Sequence, residues 1–543
     1  MLLDTLATKA FTARTLIACG VLRPDRPDRL ARTALALRRW GPTPAAGYAV
    51  AAIRHPGAAA IVDERGSLTF ADVHRRTNAL ARAWRDAGLA PGDGVAILCR
   101  NHRGIVEATV ACSKLGVSAL YLNTAFAGPQ IAEVCAREGP RAIVYDEEFS
   151  GLVADAARER MRFVAWSDGG AGAAPLLDEL IDAGDPAELA PPAVHGRVVI
   201  LTSGTTGTPK GATRRQPASL DPAAALLSVI PLRARERTVI AAPVFHSWGL
   251  AHFALGIALA STLVLRRRFE PEETLRMIDE HGATALVVVP VMLQRMLELG
   301  EPAIGRHDLG ALRVIASSGS ALPGALATRA MDVFGDVLYN LYGSTEVAWA
   351  TIATPGDLRA APGTAGRPPR GTVVRLYGDG DREVGPGESG RIFVGNEMVF
   401  EGYTGGGGKP SLHGLLSSGD VGHLDEAGRL FVDGRVDEMI VSGGENVFPR
   451  EVEDLVARLD GVEEVAAIGV DDERFGQRLR AFVVLTAGAA LTEHDVRDHV
   501  RRNLAAFKVP RDVVFVDELP RNAAGKVLKR TLEGYQTGPA AES

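Results

Sequence analysis

Short apolar runs alternate with amphipathic stretches along most of the chain, many of them stopping at Pro, Gly or Ser. VAILCR at 95–100 and RAIVYD at 141–146 read as strands, with a helix between them at 104–115. TVIAAP at 238–243, STLVLR at 261–266, TALVVVP at 284–290 and LRVIASSG at 312–319 repeat the rhythm. This alternation predicts layered sheets with helices on their faces, and loops gathered at one sheet edge where α/β proteins bind ligands.

Between 363 and 432 the pattern changes to short strands broken by Gly, Asp and Pro, which predicts an antiparallel sheet or small barrel. After Gly434 come a helix at 449–459, strands VEEVAAIGV and LRAFVVLT, a helix at 493–503 and a final strand, VVFVDEL. The expected fold class is α/β and multidomain, in three parts. An amphipathic extension at 1–50 leads into a large N-terminal domain at 51–434, made of layered α/β sub-domains and a small barrel-like β sub-domain, and a small α+β C-terminal domain fills 438–535.

Composition narrows the function classes. At 46% hydrophobic, 23% charged and a net charge of -6, the chain matches ordinary globular proteins, and no nucleic-acid partner is expected. Cys19, Cys99, Cys112 and Cys135 lie far apart without a C-x-x-C pair, against zinc or a disulfide framework and in favour of a reducing cytoplasm. The N-terminus lacks a signal-peptide core, and no window offers about 20 uninterrupted apolar residues for a membrane span. In the first 50 residues, Arg23, Arg26, Arg29, Arg32, Arg38 and Arg39 interleave with Leu30, Leu35, Leu37 and Trp40. Two readings stay open: peripheral docking at the anionic inner face of the membrane, or a solvated basic face whose apolar side packs on the enzyme body. Both a monomer and a homodimer are compatible with the sequence.

The strongest chemical signal is LTSGTTGTPKGA, beginning at Leu201. Gly204, Gly207 and Gly211 allow tight turns; Thr202, Ser203, Thr205, Thr206 and Thr208 offer hydroxyls, and Lys210 a cation, right behind the apolar strand VVIL. Such a loop suits a polyphosphate. It is not a Walker loop, because Pro209 precedes the lysine and Gly211 follows it. Further blocks follow in order: SSGSALPG with Gly319, Ser320 and Ala321; YGSTEVA with Tyr342, Gly343, Thr345 and Glu346; and SGDVGHLDEAGRLFVDGRVDEMI with Asp420, Arg435 and Asp437. SGGENVFPREVE then brings Ser442, Gly443, Gly444, Glu445 and Asn446, and LPRNAAGKVLKR brings Lys526.

Taken together, these blocks resemble the acyl-adenylate-forming (AMP-binding) superfamily over most of the chain, most nearly bacterial fatty-acyl-CoA synthetases. The resemblance implies ATP, Mg²⁺ and coenzyme A, with the phosphates held by residues 202–207 and Lys210. It implies that Gly319, Ser320 and Ala321 leave room for adenine beside Tyr342 and Gly343, and that Thr345 contacts the α-phosphate. Glu346 would coordinate Mg²⁺, a role a carboxylate beside phosphates suits. Asp420 would accept the ribose hydroxyls, reinforced by Arg435. Asp437 falls on the hinge near 435–438 about which a mobile C-terminal domain swings, and Ser442, Gly443, Gly444 and Glu445 line the coenzyme A path. Lys526 would neutralise charge during adenylation. With it, Thr345 and His246 complete the expected catalytic set.

Residues 242–262, APVFHSWGLAHFALGIALAST, resemble the block bordering the acid pocket, with His246 and Trp248 lining it. No acidic residue occurs from Ala242 to Arg268 to pair with an amine, so an amino-acid substrate lacks its counter-ion. The aliphatic run suits a medium- or long-chain fatty acid, passed through its adenylate to coenzyme A. Alternatives are an aryl or other carboxylic acid CoA ligase, a fatty-acyl-AMP ligase loading a carrier protein, and an inactive acyl-adenylate sensor. Two departures from the family pattern, Leu415 in place of Trp and the run Gly405, Gly406, Gly407, Gly408, are expected to loosen the loop near the ribose.

Overall fold

The computed structural model describes residues 2–535 except 170, 171, 173, 203–209, 214–218, 443–444, 473–475 and 523–524. Two large sheets dominate. The eight-stranded sheet runs Thr351–Ala353, Leu338–Tyr342, Val314–Ser317, Ala285–Val288, Arg237–Ile240, Thr262–Leu265, Ala59–Asp63, Gly66–Thr69, parallel except for its two outermost pairs. The seven-stranded sheet runs Gly402–Tyr403, Lys210–Thr213, Val198–Thr202, Ser118–Tyr121, Gly94–Leu98, Ala142–Asp146, Met161–Trp166, parallel from Val198–Thr202 onward. Strands such as Ala285–Val288 are buried along their whole length, which is why they read as unbroken apolar runs rather than alternating ones.

Helix Arg103–Leu115 has every residue but Ser113 buried, as expected of a helix covered on all sides. Its start is fixed by His102, whose Nδ1 accepts from the Gly104 N–H at 3.0 Å while Nε2 lies 2.8 Å from Asp146. Two polar contacts tie the sheets together just before that helix. Arg103 reaches Asp63, at the end of the neighbouring sheet's strand, through its guanidinium and its backbone N–H, with Nη2 2.5 Å and N 2.9 Å from the carboxylate oxygens. Asn101, 5% exposed, donates from Nδ2 to the carbonyls of Ile240 (3.1 Å) and Ala242 (2.9 Å) and accepts the Val244 N–H at 2.8 Å.

A five-stranded antiparallel sheet follows, built from Val373–Tyr377, Gly390–Gly395, Leu415–Leu424, Ser411–Leu412 and Leu430–Arg435. The last unit pairs the long strands Val462–Asp472 and Gly476–Leu485, adds Ile440–Ser442, Glu445–Val447 and Asp512–Phe515, and packs helices Pro449–Val456 and Glu493–Asn503 over a separate core. The layered α/β units, the antiparallel unit and the α+β unit follow one another in the chain order the hydrophobic pattern predicts.

At the N-terminus, helices Leu2–Ala18, Pro27–Trp40 and Pro44–Arg54 pack on the body through Leu16, Ala36, Trp40 and Tyr48, all buried. Leu30, Leu35 and Leu37 stay exposed, so the apolar positions of the second helix are only partly covered. Among the described residues no helix is long and apolar enough to cross a membrane. The four cysteines are buried free thiols.

Replacing Asn101 by Ala strands two carbonyls and one N–H in the interior, each costing about 1–3 kcal/mol. We expect at least about 3 kcal/mol of destabilisation in denaturant unfolding. Asn101→Asp should not rescue it, because a carboxylate can serve the Val244 N–H but repels the two carbonyls.

Candidate active site

The C-terminal ends of the parallel strands bring the predicted blocks to one place. Gly319 follows strand Val314–Ser317 by two residues, and Tyr342 ends its neighbour Leu338–Tyr342. Gly343 is required at the turn, since a Cβ there would sit 2.1 Å from the Ala348 carbonyl oxygen. That close approach folds 343–350 back on the strand, with the Ala350 N–H donating to the Tyr342 carbonyl at 2.8 Å. Thr345 is half-buried in this turn and Glu346 is 8% exposed.

The Glu346 carboxylate accepts from two neutral hydroxyls, Ser344 Oγ at 2.9 Å and Tyr403 Oη at 2.8 Å. Neutral donors leave its charge in place, so the site fits a hard divalent cation. Tyr403 comes from strand Gly402–Tyr403, which pairs with Lys210–Thr213, and its ring carries Lys210 Nζ 5.4 Å above its centre. Burial, with the Glu346 carboxylate adding to it, raises the Tyr403 phenol and keeps it a donor. Lys210 itself opens a strand antiparallel to Val198–Thr202, directly opposite Thr202. The expected phosphate-binding residues Ser203, Gly204, Thr205, Thr206 and Gly207 lie outside the described residues, as does the Thr202 side chain.

Asp420 and Arg435 are cross-strand partners in the Leu415–Leu424/Leu430–Arg435 hairpin, with 3.8 Å between Arg435 Nη1 and the carboxylate. Tyr342 Oη donates to the other Asp420 oxygen at 2.5 Å, joining the antiparallel unit to the large sheet. Arg435 Nε also lies 4.0 Å from Glu438, which accepts from Lys529 Nζ at 3.2 Å. A chain of alternating charges thus crosses the segment that holds Asp437, whose own side chain lies outside the described residues. Gly443 and Gly444 and the side chains of Ser442, Glu445 and Asn446 are outside them too.

Lys526 is exposed and sits on a tight turn held by reciprocal bonds with Asn522: Lys526 N to Asn522 Oδ1 and Asn522 N to the Lys526 carbonyl, both 2.9 Å. Gly525, with φ +78°, lets this turn press on the large domain: a Cβ there would lie 2.4 Å from Val291 Cγ1 and 3.3 Å from Val289 Cγ2. The Lys526 charge consequently acts on Asp420.

Three polar groups at the site lie outside the expected set. Tyr403 follows Glu346 by more than fifty residues and carries no motif of its own. Asn340, two residues before Tyr342, has a buried Oδ1 without a hydrogen-bond partner among the described residues. Lys409 reaches Asp420 from the glycine-rich run. That run makes a turn in the structure. Gly406 and Gly407 take φ of 85° and 83°, and the Gly406 N–H donates to the Tyr403 carbonyl at 2.9 Å.

The aliphatic run read as an acyl-tail lining is placed differently from that expectation. In helix Ser247–Ala258, Phe253, Leu255 and Ile257 are buried in the main core, because Gly256 packs on Leu263 and the helix lies against Pro44–Arg54. His246 is at the helix N-cap, half-buried, and burial lowers its pKa. Trp248 is 6% exposed and donates from Nε1 to the Val288 carbonyl at 3.1 Å.

Burial pushes the Asp420 carboxyl above the usual carboxylate range, against the opposing Tyr342 hydroxyl and the charges of Arg435, Lys526 and Lys409. The ribose contact expected of Asp420 needs the ionised form to accept two hydroxyls, so ATP affinity should fall on acidification, beginning above the ordinary carboxylate range. Tyr342→Phe removes a donor to the ionised form and should shift that fall to still higher pH. ATP titrations across pH, read by fluorescence, check both.

Residues 48–404 match the AMP-binding enzyme family and residues 451–526 its C-terminal domain. The chain is 33% identical over 486 residues to a feruloyl-CoA synthase of Amycolatopsis sp, covering 88% of this chain and 94% of the relative. It is 33% identical over 487 residues to an indoleacetate–CoA ligase of Aromatoleum aromaticum, covering 87% and 94%. Among solved structures, the o-succinylbenzoate CoA synthetase of Bacillus subtilis with its acyl-adenylate intermediate superposes with a TM-score of 0.79 at 26% identity, over 91% of this chain and 98% of that one. The chain belongs to the AMP-binding enzyme family and is an AMP-forming acid–CoA ligase that uses ATP, Mg²⁺ and coenzyme A.

Proposed function

We propose that this ligase activates an aryl or arylalkanoic acid, in preference to the fatty acid expected from the apolar run. The supporting observation is that the large apolar residues of helix Ser247–Ala258 are already committed to protein. Phe253, Leu255 and Ile257 belong to the main core, and so does Trp248, which is tied to Val288. A long acyl tail needs a run of uncommitted aliphatic lining, which this helix does not supply. The relatives named for feruloyl and indoleacetate substrates point the same way.

On this reading residues 202–207 and Lys210 hold the polyphosphate. Tyr342 and the small residues Gly319, Ser320, Ala321 and Gly343 frame adenine, and the orphaned Asn340 Oδ1 accepts from its exocyclic amine. Asp420, backed by Arg435, takes the ribose hydroxyls. Glu346 would hold Mg²⁺, which would supply charge neutralisation at the phosphates. Tyr403 orients that carboxylate.

The substrate carboxylate oxygen then attacks the α-phosphorus, the bond from phosphorus to the bridging oxygen breaks, and pyrophosphate leaves toward Lys210. Thr345 positions the α-phosphate, and Lys526 neutralises charge spread over it and the attacking carboxylate. His246, kept neutral by burial, packs beside the acid without adding charge. In the second half the coenzyme A thiol attacks the acyl carbon, AMP leaves with the bonding pair, and the thiol proton is lost. Ser442, Gly443, Gly444 and Glu445 border the pantetheine arm. Rotation about Asp437 withdraws Lys526 between the halves.

Lys526→Ala should lower pyrophosphate release by roughly 10²–10⁴-fold while leaving thioester formation from a supplied acyl adenylate nearly intact; equal losses in both halves would remove the lysine from its role. A panel of octanoate, palmitate, benzoate, cinnamate and indoleacetate, assayed for AMP and thioester together, tests the substrate class. Preference for the fatty acids would overturn the aryl reading, and adenylate without thioester would redirect the product to a carrier protein.

A further inference from the structure

Among the described residues, six of the fifteen large apolar side chains that are exposed lie close together in the chain: Leu6, Ile17, Leu22, Leu30, Leu35 and Leu37. All precede residue 48, where the family match begins, so the shared adenylating chemistry does not account for them. Single exposed leucines need no explanation, but a concentration of them marks a surface that meets something.

Helix Pro27–Trp40 carries three of the six and shows how they are arranged. Its inner stripe is Arg29, Thr33, Ala36 and Trp40, spaced at three and four residues, with Ala36 and Trp40 buried. At about 100° per residue, the outer arc runs Leu37, Leu30, Ala34, Arg38, Ala31, Leu35, and Arg39 and Arg32 border it. Every residue of that arc is exposed, with Leu30 at 45%, Leu35 at 55% and Leu37 at 49%. The one acidic residue of the helix, Asp28, is engaged by Arg26 Nε at 3.0 Å. Arg32 and Arg38 have no ion-pair partner among the described residues. Through residue 40 the chain holds eight basic and three acidic side chains, whereas the whole chain carries a net charge of -6.

Leucines and arginines thus share one outward face, and that mixture separates the possible occupants. The centre of a protein–protein contact is depleted in charge. A twofold contact with a second copy would set Arg32 and Arg38 against the same two residues of that copy. An anionic bilayer suits both kinds of side chain at once. The leucines enter the boundary of the acyl chains, while the arginine stems lie along it and their guanidinium groups reach the lipid phosphates.

We propose that the outer face of helix Pro27–Trp40 is a docking surface for an anionic lipid bilayer, holding the ligase at the membrane surface without crossing it. Ala36 and Trp40 already fix the helix to the main core, so docking needs no refolding. The proposal is independent of which acid the enzyme activates.

The test is flotation of the full chain with vesicles of phosphatidylcholine alone and of phosphatidylcholine mixed with phosphatidylglycerol, at low and high salt. The wild type should bind the anionic vesicles at least about tenfold more tightly than the neutral ones, and salt should release it. Arg32→Gln/Arg38→Gln and Leu30→Ser/Leu37→Ser should each weaken that binding by about tenfold or more. Unfolding temperature and pyrophosphate release should stay at wild-type values, because all four side chains are exposed and none belongs to the site. Equal binding to neutral vesicles, or none to anionic ones, would overturn the proposal. So would anionic binding that the leucine pair leaves unchanged, which reduces the contact to general attraction for polyanions. A dimer in solution that the leucine pair dissociates, without vesicle binding, would assign the face to a second copy instead. Should one variant unfold early, the other variant and the lipid and salt dependence of the wild type decide.

Discussion

The buried amide of Asn101 sets the geometry on which the site depends. It belongs to the loop after a strand of the seven-stranded sheet, yet all three of its hydrogen bonds go to residues 240–244, where a strand of the eight-stranded sheet ends and the approach to His246 begins. Three satisfied polar groups in a water-excluded place fix position far more tightly than apolar contact does, because each is costly to break and directional. The Arg103–Asp63 pair beside it makes the same crossing from a helix to the neighbouring strand. The two sheets therefore behave as one block. The strand that leads to the expected phosphate-binding residues belongs to one of them, and the strands that lead to Gly319 and His246 belong to the other.

Onto that block the smaller units attach through groups that can let go. Tyr342 reaches Asp420, Arg435 reaches Asp420 and Glu438, and Lys529 reaches Glu438 and Glu453. These are partly exposed contacts between charges and hydroxyls, which can break and re-form without the penalty of opening a core. Gly525 against Val289 and Val291 is the matching steric contact, close only because no Cβ is present. A strong junction inside the large domain and weaker ones around Asp437 are compatible with the proposed rotation that moves Lys526.

Much of this was legible in the chain. Strand positions and the order of the structural units follow from local hydrophobic patterns, and the family resemblance singled out Tyr342, Glu346, Asp420, Arg435 and Lys526 as expected site residues. Three features were not. Tyr403 serves Glu346 from a two-residue strand whose place is set by pairing with Lys210–Thr213. Asn340 Oδ1 and His252 Nε2 are buried without a partner among the described residues, and a missing partner leaves no mark in a sequence. The aliphatics of helix Ser247–Ala258 illustrate the same limit from the other side, since hydrophobicity reports that a residue is covered but not whether protein or ligand covers it.

The sequence by itself, through its family resemblance, supplied the expected chemistry: a phosphate loop, a carboxylate for a cation, an acceptor for hydroxyls and a late lysine. Tertiary structure decided what that chemistry acts on and how its parts meet. Whether an aliphatic side chain fills a core or lines a pocket, which tautomer a buried imidazole adopts, and whether Lys526 comes near Asp420 depend on contacts between residues far apart in the chain. Local pattern carries no information about those contacts, because they are fixed only when separate elements pack together.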